Sequence, residues 1–373
     1  MKAESEFIPI AVPDLGDMEE QYVLDAVRST WISSSGKYVK RFEAMFAEAC
    51  DAKAAVSVSN GTAALHLAVV ALGLQPGEEV ILPSLTYVAT ANAVRYAQGL
   101  PVFVDVDATT WCLDPDRIES ALSPRTKGII AVDLYGHPSD MDRINQIAAK
   151  LGLWVIEDAA EAHFARYKGR PTGGLANVTT FSFYGNKIVT CGEGGALTTN
   201  DSELDRRVRL LRNQGMDPNR RYFFPVVGYN YRLTNVACAL LCAQLERRER
   251  LIQRRQEIYS RYRRQLEGIP GLGLQPVAPW AQITPWLFCV TVDAARFGRS
   301  RDELVALLEQ NRIETRPFFI PIHQLPPYAV NPGPNSFPET ERLSASGINL
   351  PTFTGMSDMQ IDRICAILAA AGR

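Results

Sequence analysis

The sequence predicts an α/β protein: a large, mostly parallel sheet with helices on both faces, followed by a smaller α+β C-terminal domain. Three observations carry this expectation. Short strand segments and helical segments alternate from Ala54 to Asp158. The strand segments are continuous apolar runs, the pattern of strands covered on both faces. The chain, at 373 residues, is too long for one compact core, so about two domains are expected. Their expected limits are residues 1–250, with an N-terminal helical segment, and 251–373.

Pro13 to Cys50 reads as two short helices around the loop Trp31-Ile-Ser-Ser-Ser-Gly36. Apolar residues at helical spacing mark the second of them. Ala54 to Ser59 is a short buried strand, and Asn60-Gly61-Thr62 opens a helix to Leu72. Glu79 to Leu82, Pro101 to Asp105, Gly128 to Asp133 and Leu153 to Glu157 are further strands. Thr86 to Gln98 and Asp140 to Leu151 are helices between them. Val178 to Phe183 is β-branched and aromatic, a strand signal, and Ala196 to Thr199 is a returning strand. One long arginine-rich helix is expected from Val236 to Gln265, ended by Gly268-Ile-Pro-Gly271. Beyond it, Trp286 to Val292 and Ile313 to Phe319 read as strands, and Asp302 to Asn311 and Met359 to Ala371 as helices. The proline-rich stretch from Pro317 to Pro351 suggests ordered loops.

Composition excludes several classes. Hydrophobic residues make up 46% and charged residues 21%, ordinary for a soluble globular protein. The net charge of −2 gives no electrostatic case for nucleic acid or an anionic membrane. The seven cysteines are scattered without CxxC spacing, which argues for reduced thiols and against structural zinc. The four histidines do not cluster, so no metal is expected. The N-terminus, Met-Lys-Ala-Glu-Ser-Glu-Phe, lacks an apolar signal core, and no apolar run is long enough to span a bilayer. A cytoplasmic protein is expected.

The chemistry gathers around Lys187, which follows the strand Val178 to Phe183 and the break Tyr184-Gly185-Asn186. One reading is a surface lysine on a loop, as most lysines are. The other is a desolvated amine with a lowered pKa, ready to attack a carbonyl. Asn60-Gly61-Thr62 likewise has two readings. It is a simple N-cap, or a phosphate cradle in which Gly admits the ligand and the helix N-terminus offers free N–H groups. Asp158 closes an apolar strand, where it is a cap, a metal carboxylate or the partner of a ring nitrogen. In open α/β sheets ligands bind beyond the carboxyl ends of the strands, where all these residues fall. A cradle, an aspartate at a strand end and a lysine after the next strand are together what pyridoxal 5′-phosphate needs. Ser182 adds a phosphate hydrogen bond in that reading, and Tyr87 either stacks on the ring or simply packs.

Glu157-Asp-Ala-Ala-Glu161-Ala, Phe181-Ser-Phe-Tyr-Gly-Asn-Lys187, Gly192-Glu-Gly-Gly195, Ser59-Asn-Gly-Thr-Ala-Ala-Leu65 and Gly228-Tyr-Asn-Tyr-Arg-Leu-Thr-Asn235 together resemble the DegT/DnrJ family of sugar-nucleotide aminotransferases. The resemblance runs from about Ile8 to the C-terminus. It implies fold type I of the pyridoxal-phosphate-dependent transferases and a homodimer with shared active sites. By the same resemblance Lys187 is the lysine that binds the cofactor aldehyde and the catalytic proton carrier. Asp158 partners the pyridine nitrogen, Gly61, Thr62 and Ser182 bind the phosphate, and Tyr87 stacks on the ring. Glu161 lies near the ring hydroxyl, where it must be protonated to donate a hydrogen bond to a phenolate. Arg232 falls in the segment that reaches the neighbouring subunit's phosphate.

Trp31-Ile-Ser-Ser-Ser-Gly36-Lys37, Leu134-Tyr-Gly-His-Pro138, Ile313-Glu-Thr-Arg316-Pro-Phe, Pro321-Ile-His323 and Gly347-Ile-Asn-Leu-Pro351 narrow the expected substrate. They resemble family members that aminate C4 of a GDP-linked 4-keto-6-deoxymannose with L-glutamate as donor. Arg316 and His323 are candidates for the nucleotide-sugar site, with a structural role equally open for both. The rival substrates are dTDP- or UDP-linked ketosugars aminated at C3 or C4. A sugar dehydratase on the same scaffold is a further rival, although in such relatives histidine replaces the lysine that this chain keeps. A protein that senses ligand without turnover is the last.

Overall fold

The computed structural model describes residues 6–329 and 336–372. Residues 1–5, within the N-terminal stretch read for a signal core, and 330–335, within the proline-rich stretch, lie outside the described residues.

Two helices, α1 (Asp17–Arg28) and α2 (Lys37–Ala49), flank the Ser-rich loop. Tyr38, Phe42 and Phe46 of α2 recur every four residues and so share one buried face. Asn235 ties the loop down: its side chain accepts from Tyr38 N–H at 3.0 Å and donates to the Trp31 carbonyl at 2.7 Å.

The alternation then runs β1 (Ala54–Val58), α3 (Gly61–Ala71), β2 (Glu79–Pro83), α4 (Ala89–Tyr96), β3 (Leu100–Val104), β4 (Thr126–Val132), α5 (Met141–Leu151) and β5 (Trp154–Asp158). Two short strands, β6 (Arg166–Tyr167) and β7 (Arg170–Pro171), precede β8 (Val178–Ser182), β9 (Gly195–Thr199) and α6 (Ser202–Arg212). Seven of these strands form one sheet in the order β1-β9-β8-β5-β4-β2-β3. Only β9 runs against its neighbours β1 and β8; the remaining pairs are parallel. α4 is shorter than the expected Thr86 to Gln98. Gln98 ends it in a left-handed conformation (φ 62°), and Thr86 and Tyr87 stay outside it at the mouth of β2.

The expected single helix from Val236 to Gln265 is two, α7 (Asn235–Glu246) and α8 (Arg248–Leu266). The joint is Arg247, whose guanidinium pairs with Asp14 and with both oxygens of Glu19 at 2.7 Å. The helices also belong to different cores. α7 packs with α1 and α2, whereas Ile258, Tyr262 and Leu266 of α8 join the second apolar core.

The remaining elements are β10 (Leu272–Leu274), β11 (Ala281–Gln282), β12 (Phe288–Val292), α9 (Ala294–Phe297), α10 (Arg301–Gln310), β13 (Arg316–Pro317), α11 (Pro338–Ser346), β14 (Gly347–Leu350) and α12 (Asp358–Ala371), of which β10, β12, α9, α10, β14 and α12 supply the second core. β10-β12-β14-β13 form an antiparallel sheet, and β11 leaves it to pair with β6 of the preceding region. The expected strand Ile313 to Phe319 pairs with β14 only at Arg316 and Pro317. Ile313 instead bridges Ile8, which draws the N-terminal segment into this core.

Candidate active site

A cavity of about 680 Å³ opens at the carboxyl ends of the parallel strands. Gly61 and Thr62 reach it from the start of α3, and Tyr87 from the turn after β2. Asp158 lies at the end of β5, Glu161 just beyond it, Ser182 at the end of β8 and Lys187 on the β8–β9 connection. Arg316 lines it from β13.

The N-cap reading of Asn60-Gly61-Thr62 holds, and the cap leaves room for the other. Asn60 caps α3, its side chain accepting from Ala63 N–H at 2.8 Å. The first intrahelical bond is Ala64 N–H to the Asn60 carbonyl, so Gly61 and Thr62 begin the helix with the N–H groups that no turn can satisfy. An anion in the cavity meets those groups and the positive end of the helix dipole. Gly61 has no room for a side chain: a Cβ there would lie 2.8 Å from Cβ of Ser182. Gly195 is constrained in the same way, because a Cβ there would sit 2.5 Å from the Asn60 carbonyl carbon. These two glycines let α3, β8 and β9 close on one another.

Lys187 is not a surface lysine. Only 11% of its side chain is exposed, and its Nζ lies 3.8 Å from Glu161 Oε1 and 3.9 Å from the centre of the Trp286 ring. Burial pushes the amine below its ordinary pKa, against the attraction of Glu161 and Asp158. The nearby carboxylates respond in the opposite sense. Burial raises Glu161 to about 7, with the Lys187 charge opposing. Burial also raises Asp158, although Thr90 donates to its Oδ2 at 2.9 Å. A buried carboxylate with one hydroxyl donor is short of positive charge, and a protonated ring nitrogen beside it would supply that charge.

Sequence reasoning missed three contributors. Trp286 comes from the second sheet region; its indole N–H donates to the Asn186 carbonyl at 2.8 Å, which fixes the residue before Lys187. Thr90 holds Asp158, and its only sequence signal is the four-residue spacing from Thr86. Tyr135 donates its backbone N–H to Glu161 Oε2 at 2.9 Å from a left-handed conformation (φ 52°), uncommon for a bulky residue.

The structure does not bring Arg232 or His323 to this cavity. In the single chain Arg232 donates from its two terminal nitrogens to Asn213 and Asn230 at 2.8 Å each, while its Nε has no partner. His323 is 5% exposed and stacks on Phe337. Its ring links Ser84 Oγ at 2.7 Å to Glu341 at 3.3 Å, an order that imitates a hydrolytic triad. Ser84 is fully buried, however, and does not line the cavity, so the chain of bonds braces the loop after β2. Among the described residues, no group of three or more His, Cys, Asp or Glu side chains could hold a metal ion.

The free helix-start N–H groups, the close-packed glycines, the charge-starved aspartate and the desolvated lysine fit pyridoxal phosphate. The fold and this site define a pyridoxal-phosphate-dependent aminotransferase. The chain belongs to the DegT/DnrJ/EryC1/StrS aminotransferase family, whose model matches residues 13–369. It is 45% identical to the GDP-perosamine synthase of Caulobacter vibrioides, over 97% of each chain. It is 42% identical to the GDP-perosamine synthase of Escherichia coli O157:H7, over 96% of this chain and 97% of that one. Among solved structures, the PLP form of Spr1654 from Streptococcus pneumoniae superposes with a TM-score of 0.92 at 27% identity, covering 98% of this chain and 99% of the other.

Proposed function

We propose that this aminotransferase moves an amino group from L-glutamate to the C4 ketone of GDP-4-keto-6-deoxymannose, giving GDP-perosamine. The observation that carries the substrate is end-to-end identity of 45% and 42% to two proteins named GDP-perosamine synthase. Retention of Lys187 supports amination over dehydration.

In this reading the N–H groups of Gly61 and Thr62 and the hydroxyl of Ser182 hold the cofactor phosphate. Asp158 pairs with the ring nitrogen and keeps it protonated. Tyr87, 59% exposed in the single chain, covers a ring face, and Glu161 meets the ring hydroxyl. When bound, the cofactor supplies an aldehyde that captures amines covalently and a ring that withdraws electrons from the carbon next to the nitrogen. Lys187 anchors that aldehyde at rest and, once displaced by the amino donor, takes and returns the proton at the donor's Cα. The lowered pKa of its amine suits this: a general base works best when its pKa lies near the operating pH. Burial around Lys187 also keeps bulk water from competing for that proton. Arg316 is a cavity residue with a fork of donors suited to a diphosphate.

The same reading makes the working unit a cytoplasmic homodimer with shared sites. The homodimer is supported by the exposed apolar side chains Trp31, Ile32, Tyr222, Phe224 and Val227, which a second subunit would cover. Arg232, a few residues after Val227 in the chain, is then assigned to the neighbouring subunit's phosphate. Residues 1–250 and 251–373 are taken as two domains because each carries its own main sheet, of seven and four strands, with the β11–β6 pairing and a mixed apolar cluster joining them.

The test is direct. The purified protein is incubated with glutamate and GDP-, dTDP- and UDP-linked ketosugars, and the products are weighed by mass spectrometry. The GDP-linked 4-keto-6-deoxy sugar is expected to gain an amine. A deoxygenated ketosugar without nitrogen, or amination of the dTDP sugar alone, overturns the assignment.

A further inference from the structure

We infer that Glu161 is a positioning residue that sets the charge of the Lys187 amine by exchanging one proton with it. The inference rests on the cofactor reading above and deepens it: the chain itself carries the carboxylate that governs how much of the lysine is ammonium. Three geometric facts support this. Among the described residues, Glu161 is the only carboxylate within 4.0 Å of Lys187 Nζ, at 3.8 Å. Its Oε2 is occupied by the Tyr135 N–H at 2.9 Å, so Oε1 is the oxygen left to face the amine. Asp158, the other nearby carboxylate, is already bound by Thr90 and by the Ala160 N–H.

On a second side the Trp286 ring stands 3.9 Å from Nζ. A ring face attracts an ammonium and not a neutral amine. The protonated lysine is therefore held between a carboxylate and an aromatic face, and the neutral amine loses both attractions. In the exchange, one N–H bond of the ammonium breaks and one O–H bond forms on Oε1. An ion pair becomes a neutral amine beside a carboxylic acid, with no change in electron count. Closing 3.8 Å to hydrogen-bond distance takes a side-chain movement of about 1 Å, or one bridging water.

The other groups facing the pair act as follows. Arg316 disfavours the ammonium, and Asp158 favours it. Tyr135 and Cys289, packed against Glu161, are kept neutral by burial. His163 is also neutral, its pKa pushed down to about 3 by burial. Burial acts on the two groups in opposite senses, raising Glu161 to about 7 and lowering Lys187, which narrows the gap between the ion pair and the neutral pair.

The test reads the full-length, cofactor-free protein and needs no turnover. Lys187 is labelled with trace acetic anhydride across a pH series, and its peptide is quantified against that of the exposed Lys150. The wild type is expected to show a step in Lys187 reactivity near pH 7. Glu161→Gln removes the carboxylate that favours the ammonium, so the carboxylate-linked step disappears, the amine's own titration moves to lower pH, and labelling at pH 7 rises about 3- to 10-fold, as a pKa fall of roughly 0.5–1 produces. Glu161→Asp restores a titrating carboxylate and is expected to keep a step at a displaced pH. Profiles of the Gln variant that superpose on the wild type overturn the inference. If the Gln variant does not fold, an Asp profile identical to the wild type does so. Failure of the cofactor reading is separate: borohydride would then fail to fix pyridoxal phosphate on wild-type Lys187, whatever the labelling shows.

Discussion

Gly61→Ala places a methyl group where Ser182 already lies. The new Cβ would stand 2.8 Å from Ser182 Cβ, 3.3 Å from its Oγ and 3.4 Å from its Cα. Carbon atoms rest about 3.5–4.0 Å apart, so roughly 0.7 Å or more must be recovered by movement. Neither side moves freely. Gly61 starts α3, and Ser182 closes β8 in register with Gly195. Overpacking such a site costs about 1–3 kcal/mol, and the helix preference of alanine returns at most about 1 kcal/mol. The expected net loss is about 1–2 kcal/mol, read as a fall in the urea midpoint of the cofactor-free protein. If the helix start holds the cofactor phosphate as proposed, the methyl crowds it, and the dissociation constant for pyridoxal phosphate is expected to rise about tenfold or more, a loss of about 1.4 kcal/mol. Ser182→Gly removes the atom that the methyl strikes. In a double-mutant cycle the two changes are expected to couple by about 1–2 kcal/mol. A Gly61→Ala protein as stable as the wild type, or effects that add within about 0.5 kcal/mol, would refute the close-approach argument.

Asp158→Asn keeps the shape and the Thr90 contact but removes a buried charge. Burial raises this carboxyl, so in the wild type its ionisation costs stability as pH rises above the ordinary carboxylate range. The Asn variant should therefore gain stability relative to the wild type as pH rises toward neutrality, while turnover falls by about 10²–10³. Equal denaturation midpoints at every pH would contradict the first half, and unchanged turnover the second. Trp286→Leu withdraws the ring face from Lys187, an interaction worth about 1–2 kcal/mol when desolvated. The pH at which Lys187 becomes reactive should fall further in Trp286→Leu than in Trp286→Phe, and equal shifts would remove the ring from the argument. Arg316→Ala should raise the Michaelis constant for the nucleotide sugar about tenfold, whereas His323→Leu should leave it unchanged and lower stability by about 1–3 kcal/mol through the unpaired Ser84. The reverse pattern would return His323 to the binding site.

Why some residues were legible and others not has a physical basis. Lys187, Asp158, Gly61 and Thr62 sit where a strand hands over to a turn, and topology alone sends such ends to one edge of a parallel sheet. Their partners are unwritten in local sequence. Thr90 reaches Asp158 across 68 positions and Trp286 reaches Asn186 across 100. His323 carries the same local cues as Arg316, yet Ser84 and Glu341, far off in sequence, occupy its ring. The break at Arg247 is invisible for the same reason, because it depends on carboxylates more than 220 positions away.

One local signal does extend to the whole site. A parallel successor to β8 would have to start at the opposite edge of the sheet, and the chain after Ser182 would be drawn away from the strand ends. β9 instead returns antiparallel, so the connection carrying Lys187 stays where β8 ended. The same reversal sets Gly195 opposite both Ser182 and Val58, beside Asn60 and the start of α3. The lysine and the start of α3 are therefore neighbours because a single strand changes direction. Any side chain at Gly195 would force them apart at the Asn60 backbone.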